Sequence, residues 1–226
     1  MSHPAIQLTN VHLTLQANAN PVHILKGVSL KANAGEAIGI VGPSGSGKTS
    51  LLMVVAGLEP VSSGEVFVQE HSLHGKSESE LSVVRRDCVG IVFQSFHLIP
   101  TLNALENVAM PLEFKGVKNA VERARQGLSD VGLKNRLEHY PGQLSGGEQQ
   151  RVAIARALAS GAKVLLADEP TGNLDQETGS AIMDLLFNIK QRDGATLLLV
   201  THDKALASRC DRIIEVRDGL LTDATA

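Results

Sequence analysis

Gly42-Pro43-Ser44-Gly45-Ser46-Gly47-Lys48-Thr49 sets glycines, hydroxyls and a lysine at the spacing G-x-x-x-x-G-K-[ST]. Glycines let a backbone fold tightly enough to aim its amide N–H groups inward, and an anion is what such a cradle accepts. The run follows the apolar segment Ala37–Val41 and opens a helical pattern at Lys48. A helix N-terminus adds positive potential at the same place. There Lys48 reaches the terminal phosphates of a nucleotide, Thr49 ligates Mg²⁺, and Ser50 lies within the first turn. A second constellation is Val164-Leu165-Leu166-Ala167 ending in Asp168 and Glu169. Asp168 is placed to hold the Mg²⁺ shell. Glu169, one residue on, points elsewhere and can polarise an attacking water as general base. Read alone, a strand-terminal Asp-Glu pair serves equally as a helix cap.

Two weaker signals accompany these. His202 follows the apolar run Thr196–Thr201, which puts it at a sheet edge where α/β proteins bind ligands. A lone histidine there is more often a cap or a core residue. Ser145-Gly146-Gly147 precedes a helical pattern, which makes a second amide-rich helix N-terminus on a chain with one phosphate loop. A plain serine cap is the simpler alternative. His71 and His74 form an HxxH in a Ser/Gly/Lys-rich stretch, read as solvent-exposed rather than as zinc ligands.

These groups need a scaffold that brings them together. Residues 6–40 alternate as half-buried strands do, through Ile6, Leu8, Val11, Leu13 and Leu15, then Val22, Ile24, Val28 and Leu30, about a turn at Asn18–Pro21. Ala37–Val41 reads as a buried parallel strand. Gly64–Val68, Val164–Ala167, Thr196–Thr201 and Ile213–Arg217 read as further strands, the last closed by a hairpin turn at Asp218-Gly219. Helices are expected at Lys48–Ala56, stopped by Gly57, and at Glu78–Arg86, Asn103–Met110, Ala120–Val131, Gly147–Ser160 and Glu177–Gln191. Asn119 is a candidate cap and Gly132 a candidate stop for the Ala120 helix, with Pro100, Pro111 and Pro141 between the middle helices. Strands alternating with helices imply a mostly parallel sheet. The reading is one domain over residues 1–226: an α/β core in 1–94 and 161–226 with an N-terminal antiparallel β portion, and a helical insert over 95–160.

Composition bounds the function. A chain of 226 residues buries roughly 70% of its unfolded surface and needs no disulfide staple. Lys+Arg of 21 against Asp+Glu of 24 gives a net charge of −3, and aromatics are 3%. Neither a basic groove nor a stacking platform is implied, so no nucleic-acid partner is expected. Cys88 and Cys210 are far apart and outside any CxxC, as buried thiols of a reducing compartment would be. Met1–Leu15 mixes polar with apolar residues, so no export signal is expected, and no apolar run approaches the roughly 20 residues of a membrane span.

The stretch Leu144-Ser145-Gly146-Gly147-Glu148-Gln149-Gln150-Arg151 is the most specific pattern in the chain. With it, the chain resembles the ATP-binding cassette (ABC) ATPases, P-loop NTPases, over nearly its whole length. Gly42–Thr49 resembles their Walker A motif, Leu144–Gln149 the signature and Val164–Glu169 Walker B. Gln94 resembles the Q-loop glutamine, Asn173-Leu174-Asp175 the D-loop, and Thr201-His202-Asp203 the segment of the switch histidine. The resemblance implies ATP as substrate and Mg²⁺ held by Thr49, Gln94 and Asp168. It implies Glu169, His202 and Gln94 as catalytic residues, and nucleotide contact from Gly42 to Ser50. Ser145, Gly146, Gly147 and Asp175 would contact the ATP of a second, head-to-tail copy. The runs Phe93–Val108 and Asp168–Asp175 are similar to the lipoprotein-release and macrolide-export (LolD/MacB-like) branch, nearest its YbbA-like group. That branch implies a partner permease with few membrane helices and a periplasmic domain, and a peripheral ATPase on the cytoplasmic face of the inner membrane. The permease groove is expected near Gln94–Leu105, where Phe96, Leu98, Ile99 and Leu102 lie around Pro100.

Three rival readings are weaker. Soluble ABC proteins of DNA repair or translation resemble tandem, coiled-coil or zinc-bearing chains, whereas this sequence carries one cassette and two lone cysteines. The ATPase of a nutrient importer would work beside a substrate-binding protein. A binding-only regulator is disfavoured by Glu169 and His202. The chain departs from the family in one respect: no Phe, Tyr or Trp precedes Phe67. The family's adenine-stacking aromatic is replaced near Leu15, leaving the phosphates and Mg²⁺ as the expected source of affinity.

Overall fold

The protein is described by a computed structural model over residues 4–17 and 20–223; residues 18 and 19, the first two of the expected Asn18–Pro21 turn, lie outside the described residues, and the other two, Asn20 and Pro21, already belong to a strand. Strands β1 (Ile6–Ala17) and β2 (Asn20–Ala32) pair antiparallel, with Ile6 opposite Ala32 and Leu15 opposite Val22. The apolar alternation skips a step between Leu8 and Val11. A register shift lies there, with Asn10 in the left-handed region at φ 48°, so Val11 stays in the core. β4 (Ser63–Val68) pairs with the other edge of β1 and β5 (His71–Ser72) with β4.

The second sheet holds β3 (Ala37–Val41), β6 (Val89–Phe93), β7 (Val164–Asp168), β8 (Thr196–Val200), β9 (Arg212–Arg217) and β10 (Leu220–Asp223), ordered β10-β9-β3-β8-β7-β6. β9, β3, β8, β7 and β6 run parallel, and β10 returns antiparallel. Asp218 and Gly219 turn that hairpin at φ 50° and 79°, as the dipeptide implies. β6 is absent from the elements read from sequence. Helix α2 (Glu78–Cys88) runs straight into it, with Val89 serving both as helix cap and as first strand residue, so no turn residue marks the boundary.

Both faces of this sheet are covered. Leu166 and Leu198 face a core shared with β1, β2, β4, α2 and α1 (Lys48–Val55). Leu165, Leu197 and Leu199 face a second core built with α3 (Ala104–Phe114), α4 (Ala120–Asp130), α5 (Gly146–Ala159) and α6 (Gln176–Asp193). A short α7 (Lys204–Ala207) follows β8. Two local expectations are corrected. α3 does not stop at Met110 but passes through Pro111 to Phe114. The proline forfeits one hydrogen bond, and the last turn closes through Lys115 N–H on the Pro111 carbonyl at 3.2 Å. Asn119 precedes α4 at φ −112°, ψ 44°, and its side chain caps nothing. Gly132 does follow the end of α4 in the left-handed region, at φ 80°.

Asn107, fully buried on α3, organises the segment before that helix. Its Oδ1 accepts from Ile99 N–H at 2.8 Å, and its Nδ2 donates to the carbonyls of Ile99, Leu102 and Asn103 at 3.2, 2.9 and 3.0 Å. Asn107→Ala strands one buried donor and leaves these carbonyls short of a partner. The expected loss is about 2–3 kcal/mol of unfolding free energy, read as a lower urea midpoint.

Cys88 is buried, Cys210 is partly buried, and both are free thiols. Burial pushes both above the ordinary thiol range, Cys210 to about 12. The native protein at pH 8 is therefore expected to resist iodoacetamide at both positions, and the urea-unfolded chain to take up two labels by mass spectrometry. The linkage has a definite sign. The unfolded thiol releases its proton near pH 8.5 while folded Cys210 keeps its own, so stability is fully present below that pH and falls as the pH rises towards about 12.

Candidate functional site

Parallel pairing puts Phe93 opposite Asp168, Asp168 opposite Val200, and Val200 opposite Ile40. These four residues form one row across β6, β7, β8 and β3. The chain leaves all four strands at one sheet edge, through Gln94, Glu169, Thr201-His202 and Val41-Gly42. A cavity of about 540 Å³ opens there. Its walls are Gly42, Ser44, Gly45, Gly47, Lys48, Thr49 and Ser50 on one side, and Gln94, Asp168, Glu169 and His202 on the other. Pro43 and Ser46 belong to the same loop without lining it.

The loop is built to receive an anion. Gly42 sits at φ 145°, and a Cβ there would lie 2.1 Å from the Val216 carbonyl oxygen. Gly47 is the N-cap of α1 and offers no side chain to its free amides, and the first turn carries no acidic residue. By contrast Ser77, Asn103, Ser145 and Asp175 each cap α2, α3, α5 and α6 with a side-chain oxygen. The amides of α1 thus remain available to an external acceptor. Ser46 Oγ, in the same loop, is buried without a partner. Lys48 Nζ donates to the carbonyls of Gly42 and Pro43 at 2.9 and 2.8 Å, closing the loop on itself.

Opposite, Thr49 Oγ1 donates to Asp168 Oδ1 at 3.2 Å. Burial raises the Asp168 carboxyl above its usual range, against the lowering effect of the Thr49 bond, and the adjacent Glu169 charge raises it further. A cation beside Asp168 would relieve both raising effects. The hydroxyl of Thr49, the carboxylate of Asp168 and the amide of Gln94 are hard oxygen donors of the kind Mg²⁺ takes. Glu169 lies in the left-handed region at φ 47°, which turns its side chain away from the line of β7. Its Oε2 meets His202 Nδ1 at 2.5 Å.

Gln94 is held by a residue absent from the predicted site. Its Nε2 donates to Asn173 Oδ1 at 3.3 Å, while Asn173 Nδ2 donates to the Gln94 carbonyl at 3.0 Å. The only trace of this in the sequence is membership of Asn173 in the Asn-Leu-Asp run. Gln150 is also unanticipated: fully buried on α5, it donates to the Pro170 carbonyl at 2.7 Å, and its Oε1 has no partner. Ser145, Gly146, Gly147 and Asp175 are outside the cavity. Ser145 Oγ accepts from Glu148 N–H in a capping box, and Asp175 caps α6. Both glycines pack on the chain after β7: a Cβ would lie 3.2 Å from Leu174 at Gly146 and 2.6 Å from Thr178 at Gly147. Leu15 is exposed on β1 and does not line the cavity, and His23 bonds Thr14 Oγ1 at 2.9 Å. His71 and His74 are exposed, and the described residues hold no cluster of three metal-ligating side chains.

A family profile described as ABC transporter matches residues 25–172, more than half of the chain. The chain belongs to the ABC transporter family. This ABC protein is 49% identical to the uncharacterized ABC transporter ATP-binding protein YbbA of Escherichia coli K12, over 97% of its own length and 99% of that protein. It is 45% identical to the lipoprotein-releasing system ATP-binding protein LolD of Acinetobacter baylyi, over 99% of both. It therefore falls in the LolD/YbbA-like branch. Its fold superposes on the ATP-binding cassette MJ0796, solved as a dimer in a post-hydrolysis state with ADP and Pi. The TM-score is 0.89 at 41% identity, covering 98% of this chain and 99% of that one. The protein is an ABC ATP-binding subunit and an ATPase, and its α/β fold is that of the P-loop ABC cassettes. Among its described residues, no helix is long and apolar enough to cross a membrane.

The tight approach at Gly42 gives a direct check on the loop. Gly42→Ala must move either the loop or β9. It is expected to cost about 2–3 kcal/mol in the nucleotide-free protein, measured by urea unfolding.

Proposed function

We propose that this ABC ATPase drives a membrane complex of the lipoprotein-release and macrolide-export type. Its ATP cycle would power export, lipid extraction or mechanical transmission through a permease that carries a periplasmic domain. The observation that carries the reading is the row of strand ends that gathers Lys48, Thr49, Gln94, Asp168, Glu169 and His202 on one cavity. Full-length similarity to a LolD supports the branch. In this reading the protein works at the cytoplasmic face of the inner membrane, held there by its partner.

The chemistry rests on the groups present. Amides of Gly42–Ser50 and Lys48 bind the phosphate chain, and Lys48 exchanges two loop carbonyls for anionic oxygens. Thr49, Asp168 and Gln94 would hold Mg²⁺, which when bound neutralises charge on the phosphates. Glu169 accepts a proton from the attacking water. His202, already on the Glu169 carboxylate, fixes its orientation and can donate towards the terminal phosphate. Ser145, Gly146 and Gly147 lie outside their own cavity, so their amides would serve the ATP of a second copy, together with Asp175. The insert over residues 95–160 would then move as the subdomain carrying this signature. Dimeric MJ0796 cassettes agree with that stoichiometry.

Glu169→Gln keeps the size and hydrogen bonding of the side chain and removes its basicity. ATPase turnover is expected to fall about 10²-fold or more, with ATP binding retained and a dimer trapped on gel filtration. Wild-type turnover would sink the assignment. Ser145→Arg puts a bulky cation over the α5 amides. Monomers are expected to bind ATP as before, while dimerisation and hydrolysis are lost.

The permease is placed against Phe96, Leu98, Ile99 and Leu102. All four are only partly buried; none of them lines the neighbouring groove of about 340 Å³, which is walled by Phe93, His97, Met110 and Pro111 with Arg86 and Arg156. Leu98→Glu or Leu102→Glu is expected to abolish co-purification with the permease while ATP binding persists. A folded variant that still assembles would put the groove elsewhere.

A further inference from the structure

Two consecutive non-glycine residues, Phe96 and His97, hold left-handed backbone conformations, at φ 60° and 48°. Each is unfavourable for an L-residue and persists only where the surroundings over-determine it. Their own turn contributes little: His97 N–H reaches only the Ser95 carbonyl and Phe96 N–H the Phe93 carbonyl, at 2.6 and 3.3 Å. The constraint comes from α5. Arg156 Nη1 donates to the His97 carbonyl at 2.5 Å, and its Nη2 to the Phe96 carbonyl at 2.9 Å. A planar guanidinium can span two successive carbonyls only when they point the same way. Desolvation pushes this guanidinium below its usual value, with no carboxylate to offset it. A surface arginine in a last helical turn, serving only the helix dipole, would not be half-buried with both ends of its guanidinium on successive carbonyls.

We infer that Arg156 is a positioning residue for ATP hydrolysis, clamping the segment after Gln94 to the helix that begins at Ser145 so that the two move as one body. The inference rests on the proposed role of Gln94 in the cavity. Arg156 itself lies outside that cavity and touches no reacting atom.

The test uses the full-length ATPase and reads two quantities: steady-state turnover, and hydrogen exchange of the amides of residues 95–98 without nucleotide. For Arg156→Gln, exchange over 95–98 is expected to rise and kcat to fall about tenfold. KM for ATP should stay within about twofold, because the phosphate loop is untouched. Glycine takes the left-handed conformation at little cost. Arg156→Gln combined with His97→Gly therefore relieves the backbone without restoring the link to α5, so its turnover is expected to stay low; recovery in the double variant overturns the clamp. Should Arg156→Gln not fold, His97→Val and His97→Gly carry the test in the wild-type background. Both lose the packing of the His97 ring on Phe93, whose centroids lie 4.5 Å apart, but only valine resists the left-handed backbone, so turnover should be several-fold lower with valine. Unchanged exchange in Arg156→Gln, or equal turnover of the two His97 variants, overturns the clamp. Raised exchange with wild-type turnover also overturns it, and leaves the Glu169 assignment to stand or fall on Glu169→Gln.

Discussion

Parallel hydrogen bonding among β3, β8, β7 and β6 is the constraint on which the site depends. Strands paired in that sense release their chains on the same side, and the registers Phe93–Asp168–Val200–Ile40 hold those exits level. Residues separated by up to 160 positions become neighbours with no loop having to search for them. Burial of both sheet faces makes a one-residue slip costly, because it would turn each strand's inward residues towards the opposite core.

With the exits level, each reactive group finds a partner inside the chain. Lys48 rests on two loop carbonyls, Thr49 on Asp168, Glu169 on His202, and Gln94 on Asn173. These side chains are thereby partnered before any ligand arrives, whereas the amides of the first turn of α1 are not. Binding then exchanges partners at these side chains and supplies an acceptor to the free amides of α1. Net affinity is the difference between two sets of polar contacts, and a small change in geometry can shift it far.

The core of the site was legible in the sequence because its glycines, Lys48 and the Asp168-Glu169 pair stand at spacings that few other structures require. The central strands were legible as apolar runs, and the Asp218-Gly219 turn by its residue pair. β6 was hidden because Val89 ends a helix and begins a strand with no breaker between them. The continuation of α3 past Pro111 was hidden because a proline in the last turn costs only one bond, whereas a pattern reading treats it as a stop. Asn173, Gln150, Arg156 and Asn107 were hidden for a shared reason. Each bonds backbone carbonyls or amides, Asn107 within eight residues and the other three across 20 to 79, and such bonds leave no periodicity and no motif.

Asn107 and Arg156 together bear on how force crosses the molecule. One grips the stretch from Ile99 to Asn103, the other grips Phe96 and His97, and Gln94 lies just upstream, tied in turn to Asn173. Surface connections usually hang between their ends and soak up strain as slack. This one is pinned along its length, so it has the stiffness of a lever. Tethering of this kind favours passing a displacement of its outer side on towards Gln94 over absorbing it as slack.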